Sequence, residues 1–151
     1  MYLRILLTIA FTLLIIGCGP KLESNTTATG QSVAKTYKWK MVTTWPKNFP
    51  GLGTAPERFA KNVALMSQGQ LEVKVFGAGE LVPALEVFDA VSGGTAEMGH
   101  GAGYYWKGKA PEAQFFTTVP FGMTAQEMNG WIHHGGGQAL WEGVYAKFGL
   151  V

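Results

Sequence analysis

Short segments in which apolar and charged residues alternate, separated by segments of helical periodicity, constrain the fold of this chain more than any other feature. The first alternating segment is YKWKMVT at 37–43 and the second is LEVKV at 71–75. This period of about two is typical of half-buried β-strands. Between them, apolar residues recur at helical spacing at Phe59, Val63 and Met66. The pattern predicts a strand, an amphipathic helix and a second strand.

Two T-x-x-E patterns predict helix starts. Thr54 with Glu57, and Thr124 with Glu127, have the spacing of a capping box, in which each residue satisfies a backbone N–H of the first turn. Gly69 is expected to end the first of these helices.

The remaining elements follow from the same periodicities. A second helix is predicted after Pro83, with a buried stripe that ends at Gly93-Gly94 and consists of Leu85, Phe88 and Val91. A short strand is predicted over 95–98, another extended segment over 115–121, and a last helix after Gly137. The expected order is β-α-β-α-β-loop-β-α-α.

Strands that alternate with helices indicate an α/β fold, with a mainly parallel sheet flanked by helices and right-handed crossovers. In open sheets of this kind, ligands bind beyond the carboxyl ends of the strands. Three loops leave predicted strand ends: TTWPKNFPG at 43–51, GAGE at 77–80 and GHGAGYYW at 99–106. A binding site is therefore expected where these loops meet.

The third loop is the most informative. Its glycines resemble a phosphate-binding loop, but Tyr104 stands where the dinucleotide fingerprint requires glycine. Tyr104 and Tyr105 after flexible glycines suit a small-molecule pocket, in which the hydroxyls orient a polar ligand against an aromatic wall. The alternative is that both tyrosines simply cap the core.

The histidines and acidic residues do not predict a metal site or a catalytic centre. His133 and His134 are adjacent on a predicted helix and point to different faces, so they are poorly placed to bind one ion together. His100 either donates a hydrogen bond to an anionic ligand or is a structural histidine. Asp89 is the one aspartate of the chain, and no serine has a nucleophile-elbow pattern.

Residues 1–17 predict a lipoprotein signal peptide. Arg4 precedes an apolar run over 5–16, which is shorter than the roughly 20 residues of a membrane span. The run ends in IIGC, which resembles the lipobox of bacterial lipoproteins, whose cysteine is lipid-modified. Cys18 would then anchor the mature protein at a periplasmic or cell-surface membrane. Residues 18–36 are polar and are expected to form a flexible tether.

The composition excludes several functional and structural classes. The 151 residues include 12 basic and 10 acidic side chains with no Lys/Arg cluster, which argues against a nucleic-acid partner. The single cysteine rules out a disulfide framework and a cysteine-based zinc site.

Four segments downstream of the lipobox carry a resemblance to a known family: WKMVTTWP, ELVPALEVFDAV, EMGHGAGYYWKGK and VPFGMTAQEMNGWIHHGGG. Together they resemble the N-terminal part of the solute-binding proteins of TRAP transporters, in the branch that binds 2-oxo acids such as pyruvate. The resemblance implies a two-lobed, type II periplasmic-binding-protein-like receptor that is not an enzyme. Such a receptor binds a small carboxylate and delivers it to integral membrane subunits.

The resemblance covers residues 37–151 and implies that the first lobe is largely present and that the chain is an N-terminal fragment. Tyr104 and Tyr105 match the paired tyrosines that line the pocket in that branch, and we extend the ligand-binding prediction to His100 and Trp45. The arginine that pairs with the carboxylate and the metal-associated residues lie later in the family. We therefore expect no metal or cofactor in this segment. A cation bound with the ligand, and a homodimer, are compatible with the full-length family pattern.

The alternative from another class is a lipid-anchored α/β hydrolase or isomerase, in which His100 would act with Glu80 or Glu97. A third hypothesis, which depends on the predicted tether and anchor alone, is a surface adhesion or scaffold lipoprotein. Under the receptor hypothesis, most ligand contacts come from parts of the family's chain that follow residue 151. This chain by itself is therefore expected to bind ligand weakly or not at all.

Overall fold

The computed structural model describes residues 35–151. The strands are β1 (Tyr37–Thr43), β2 (Leu71–Phe76) and β3 (Met98–His100), and the helices are α1 (Thr54–Met66), α2 (Val87–Ser92), α3 (Ala125–His134) and α4 (Gly137–Ala146). Three 3-10 helices cover Ala84–Glu86, Gly103–Trp106 and Pro111–Phe116. None of the helices in the described part of the chain is both long and apolar enough to span a membrane. The predicted signal peptide, Cys18 and the tether up to residue 34 lie outside the described residues.

The three strands form one parallel sheet in the order β2-β1-β3. β1 pairs with β2 along its length, with Tyr37 opposite Leu71, and with β3 at its carboxyl end, with Thr43 opposite His100. The predicted α/β class with a parallel sheet flanked by helices is confirmed. β1 lies in the centre, so its carboxyl end is the point around which the strand-end loops gather.

Burial of β1 changes along the strand. Tyr37 and Trp39 are exposed at its start, whereas the consecutive residues Met41 and Val42 are both buried. Val42 packs in a cluster with Val87 of α2, and Met41 lines a cavity on the side of α1. The carboxyl end of β1 is thus covered on both faces, and burial rises along the strand instead of alternating as the sequence pattern predicts.

The two capping boxes have opposite outcomes. The box of Thr124 and Glu127 is confirmed: the backbone N–H of Thr124 donates to the Glu127 carboxylate over 2.8 Å, and the Thr124 hydroxyl accepts from the Glu127 N–H. The box of Thr54 and Glu57 is wrong, because Gly53 is the N-cap and Thr54 already lies inside the helix. The backbone N–H groups of Gly53 and Thr54 both donate to Phe49, so a tight preceding turn fixes the helix start.

The apolar stripes of the first two helices differ from the prediction. Phe59 is exposed and Met66 is 85% exposed, whereas Val63 is half-buried, so the predicted stripe is covered only in part. The predicted second helix begins as a 3-10 turn that leaves Leu85 exposed, and Phe88 is buried in the short α2 that follows. Pro83 is extended, which delays the start of regular helix.

The third strand begins three residues later than predicted. The N–H groups of Thr95 and Ala96 both donate to the carbonyl of Ala90, which keeps them wound against the end of α2. β3 therefore starts at Met98 and includes His100, which the sequence pattern placed in a loop.

The extended segment predicted over 115–121 does not form a strand. Pro111–Phe116 is a 3-10 helix, and the Thr117 hydroxyl donates back to the carbonyl of Gln114. Phe121 has a φ of 61° and is followed by a turn in which the Gly122 N–H donates to Val119. Local turns therefore satisfy the backbone where the apolar pattern predicted sheet pairing.

Replacing Thr124 with alanine is expected to destabilise the protein by about 1 kcal/mol, because the N-terminal turn of α3 loses its cap. Thr54→Ala is the matched control, since its hydroxyl makes one long bond to Gly51 (3.5 Å) and no cap. The control should change stability by less than about 0.5 kcal/mol. Equilibrium urea unfolding measures both, and equal losses in the two variants would contradict the assignment.

Candidate functional site

The carboxyl ends of β1 and β3 are joined where the strands stop. The backbone N–H of Thr44 donates to the carbonyl of His100 over 2.9 Å, one step beyond the last paired residues. Trp45 then leaves β1 and Gly101 leaves β3 on the same edge of the sheet. This bond brings the two loops together at the edge where α/β folds bind ligands.

Four aromatic side chains meet at this edge, and we call them the aromatic cluster. The Trp45 ring lies 5.1 Å from the ring of His100 and 6.0 Å from that of Tyr105, and Tyr105 lies 4.8 Å from Tyr104. These are the four residues that the sequence predicts as ligand-binding; Trp45 follows β1, and the other three lie about sixty residues later, at the end of β3 and in the loop after it. The structure brings all four together, and their role in binding remains a prediction.

The two tyrosines do not cap the core. Tyr104 is 41% and Tyr105 38% exposed, whereas the next residue, Trp106, is 8% exposed and packs in the core. Partial burial, with the neighbouring Tyr105, raises the pKa of Tyr104. Its phenol is therefore protonated at neutral pH and available as a hydrogen-bond donor.

His100 is partly buried beside Trp45, and its Nδ1 atom has no hydrogen-bond partner among the described residues. Burial lowers the pKa of His100, so the imidazole is neutral at neutral pH. It lines a cavity of about 310 Å³ whose other walls are apolar, formed by α1 and the sheet. A neutral imidazole with a free ring nitrogen can donate or accept a hydrogen bond, according to its tautomer.

Sequence reasoning missed Thr44. Its hydroxyl oxygen is buried and lacks a hydrogen-bond partner within residues 35–151. Buried polar atoms are nearly always paired, so an unpaired hydroxyl at a strand end is a candidate polar group of the site. The available signal was its position directly after an apolar strand in a predicted ligand-side loop.

The GAGE loop after β2 is hydrogen-bonded to the loop that carries Trp45. The Glu80 carboxylate forms an ion pair with Lys47 at 2.6 Å and accepts from the N–H of Gly77 at 3.1 Å. The Ala78 N–H donates to the carbonyl of Trp45 at 3.1 Å. These bonds tie the loop after β2 to the loop that carries Trp45.

The glycines of the third loop serve close packing. A β-carbon at Gly99 would lie 3.0 Å from Val87 and Val91, and one at Gly103 would lie 2.5 Å from the carbonyl oxygen of Ala113. A side chain at Gly103 would overlap the backbone, and one at Gly99 would require the two valines to shift. The glycine spacing therefore reflects the contacts of α2 and of the 3-10 helices, and the phosphate-loop resemblance has a packing explanation.

The described residues contain no group of three or more histidine, cysteine, aspartate or glutamate side chains arranged to hold a metal ion. The acid/base pair of the hydrolase alternative is not assembled in them either. Glu97 accepts from the backbone N–H of Lys40, and Glu80 is bound to Lys47 and Gly77. Neither carboxylate is a hydrogen-bond partner of the His100 ring in the described residues.

Comparisons with known proteins all find bacterial solute-binding proteins. The family model for bacterial extracellular solute-binding proteins, family 7, matches residues 41–150. A monocarboxylate 2-oxoacid-binding periplasmic protein from Nostoc sp. is 43% identical over 129 residues, which are 85% of this chain and 35% of that protein.

Two crystal structures are similar to the described fold. One is a TRAP periplasmic solute binding protein from Pseudoalteromonas atlantica with bound sodium and pyruvate, and the other is from Colwellia psychrerythraea with bound calcium and pyruvate. Each has a TM-score of 0.74 and 46% identity, over 76% of this chain and 35% of its own chain. The chain thus spans about a third of the length of these relatives.

Replacing Glu80 with glutamine is expected to destabilise the protein at neutral pH and to matter less in acid. The hydrogen bond from Lys47, with that from Gly77, lowers the pKa of Glu80 below its ordinary value of 4.5. The ionised form therefore stabilises the folded state above that value, and the contribution is lost as the pH falls through the lower folded-state pKa.

Urea unfolding measures the difference in the free energy of unfolding between the wild type and Glu80→Gln. The measurement is made at pH 7 and at steps down to about pH 3. Glu72→Gln is the control, since its pair with Lys38 is exposed and longer, at 3.7 Å. A difference in the free energy of unfolding that stays constant across this pH range would contradict the role of the ionised carboxylate.

Proposed function

Because the chain belongs to the family of bacterial extracellular solute-binding proteins, family 7, we propose that it supplies one wall of a binding site for a 2-oxo acid such as pyruvate. The protein would be the extracytoplasmic receptor of a TRAP-type transporter and would deliver the acid to integral membrane subunits. The observation that carries this proposal is the meeting of Trp45, His100, Tyr104 and Tyr105 at the carboxyl ends of β1 and β3.

The chemistry of the aromatic cluster suits part of such a ligand. A 2-oxo acid has a carboxylate, a keto oxygen and a short apolar body. The tyrosine hydroxyls can donate to its oxygens, and the Trp45 ring offers an apolar surface. A neutral His100 can donate as well. Small-molecule sites commonly combine an apolar wall with a few directed polar groups.

The cluster carries no positive charge, so a full site needs a cation for the carboxylate from outside it. An arginine from a second lobe would form a bidentate pair with the carboxylate and fix its orientation. Closure of two lobes around the ligand would then favour the bound form. Residues 37–151 would be the N-terminal part of that solute-binding domain, which accounts for the expected weak binding by this part alone.

The two solved relatives contain sodium or calcium with pyruvate. The residues of the aromatic cluster do not fit such an ion, since they include no carboxylate and Glu80 is held by Lys47. Hard cations prefer several oxygen ligands. We therefore assign no cation ligand to the described residues, and a cation would need oxygen ligands from a second lobe.

The Nostoc relative is a periplasmic protein, and an extracytoplasmic location agrees with the family. We place this protein on a membrane surface through a lipid on Cys18, with residues 18–36 as the tether. The tether would let the binding domain reach membrane subunits in the same bilayer.

A chimera tests the receptor proposal. Residues 37–151 would replace the matching third of the Pseudoalteromonas protein, and calorimetry would measure pyruvate binding. The chimera is expected to bind pyruvate, and residues 18–151 alone are expected to show no binding at millimolar pyruvate. Tyr104→Phe and Tyr105→Phe should each weaken binding by about fivefold, the value of one lost hydrogen bond.

Tyr37→Phe is the matched control, because Tyr37 lies at the opposite end of β1 and is exposed. It should bind like the parent chimera. A folded chimera that does not bind pyruvate would overturn the proposal, and tyrosine variants that bind like the control would remove the aromatic cluster from the site.

A labelling experiment tests the anchor separately. The complete chain, expressed in a bacterium with radioactive palmitate, should incorporate label and partition with membranes. Cys18→Ala should lose both properties, because the thiol is the site of lipid attachment. Wild-type protein that is unlabelled and released in soluble form would rule the anchor out.

A further inference from the structure

Trp106 is the buried residue that connects the tyrosines to the rest of the fold. Its ring packs against Phe88 of α2 at a centroid distance of 5.7 Å, and its indole N–H donates to the hydroxyl of Tyr145 in α4 over 2.9 Å. Tyr145 is itself held edge-on by Phe88 at 6.1 Å and by Trp141 at 5.9 Å. Two helices therefore fix the position of one indole.

The same residue ends the 3-10 helix that carries both tyrosines, Gly103–Trp106. A 3-10 helix has about three residues per turn, so neighbouring side chains project about 120° apart. The carbonyl of Trp106 accepts from the N–H groups of Lys109 and Ala110, which closes the next turn. Because these residues are consecutive in one turn, a rotation of the turn that moves Trp106 also moves Tyr104 and Tyr105.

Trp106 also touches the end of the sheet. A β-carbon built at Gly101 would lie 2.8 Å from Cζ3 of Trp106 and 2.8 Å from the methyl group of Thr44. The indole thus fills the space directly beside the residues that follow β1 and β3. The sheet edge, the tyrosine-bearing turn and α4 meet at this one side chain.

Tyr104 and Tyr105 themselves are substantially exposed, and the aromatic partner of Tyr105 on the other loop is Trp45. Their position relative to Trp45 therefore depends on the buried end of their own helix. We propose that Trp106 is a positioning residue, whose hydrogen bond to Tyr145 sets the direction in which Tyr104 and Tyr105 face the ligand. This inference rests on the proposed function for its effect on binding.

Fluorine NMR tests the positioning without any ligand. In the 151-residue chain with 3-fluorotyrosine at position 105, Trp106→Phe removes the indole donor and keeps an aromatic ring. In this variant, the fluorine resonance of position 105 is expected to move towards that of the urea-unfolded chain and to broaden. Tyr145→Phe, which removes one oxygen atom, should cause the same change. Trp131→Phe is the matched control, since the Trp131 ring stacks on Phe116 at 5.6 Å and forms no aromatic pair with Trp106 or Tyr145 in the described residues.

The affinity arm uses the chimera described above. Trp106→Phe and Tyr145→Phe should each raise the dissociation constant for pyruvate by about fivefold, and the double variant should be no weaker than either single one. An unchanged resonance in both variants, an equal shift in Trp131→Phe, or additive losses of affinity would overturn the inference. A parent chimera that fails to bind pyruvate would overturn the proposed function instead, while the resonance still decides the positioning.

Discussion

The candidate site depends on the parallel pairing of β1 with β3 and on the hydrogen bond that continues it, from Thr44 to His100. Parallel strands end at the same edge of a sheet, so this pairing places Trp45 beside His100 although the two are far apart in sequence. β1 is buried on both faces at this end, which leaves little freedom for the register to slip. The aromatic cluster is thus a consequence of how one central strand is packed.

The glycines of the third loop matter through the same packing. Gly99 lets α2 approach β3, Gly101 makes room for Trp106, and Gly103 admits the backbone at Ala113. Each contact brings a buried element close to the exposed tyrosines. The site therefore combines a closely packed base, which the glycines allow, with an aromatic surface that faces solvent, as expected for binding residues on loops held by a scaffold.

Much of the fold followed from local signals. Strong alternation located β1 and β2, a capping box located α3, and the class of the sheet followed from the order of the elements. Three of the errors lie at turns. The start of β3 was decided by backbone hydrogen bonds to Ala90, the start of the second helix by the extended Pro83, and the missing strand over 115–121 by turn hydrogen bonds to Gln114 and Val119. Apolar patterns of short segments do not encode those bonds.

The sequence by itself determined the α/β class, the edge of the sheet where ligands would bind, and the four aromatic residues of the candidate site. These depend on periodicity, strand polarity and residue chemistry, which are local properties. The tertiary structure alone decided that Trp106 is the core anchor while Tyr104 faces solvent, and that the Thr44 hydroxyl is buried without a partner. Those facts depend on which distant side chains fill the same space, and no local pattern specifies that.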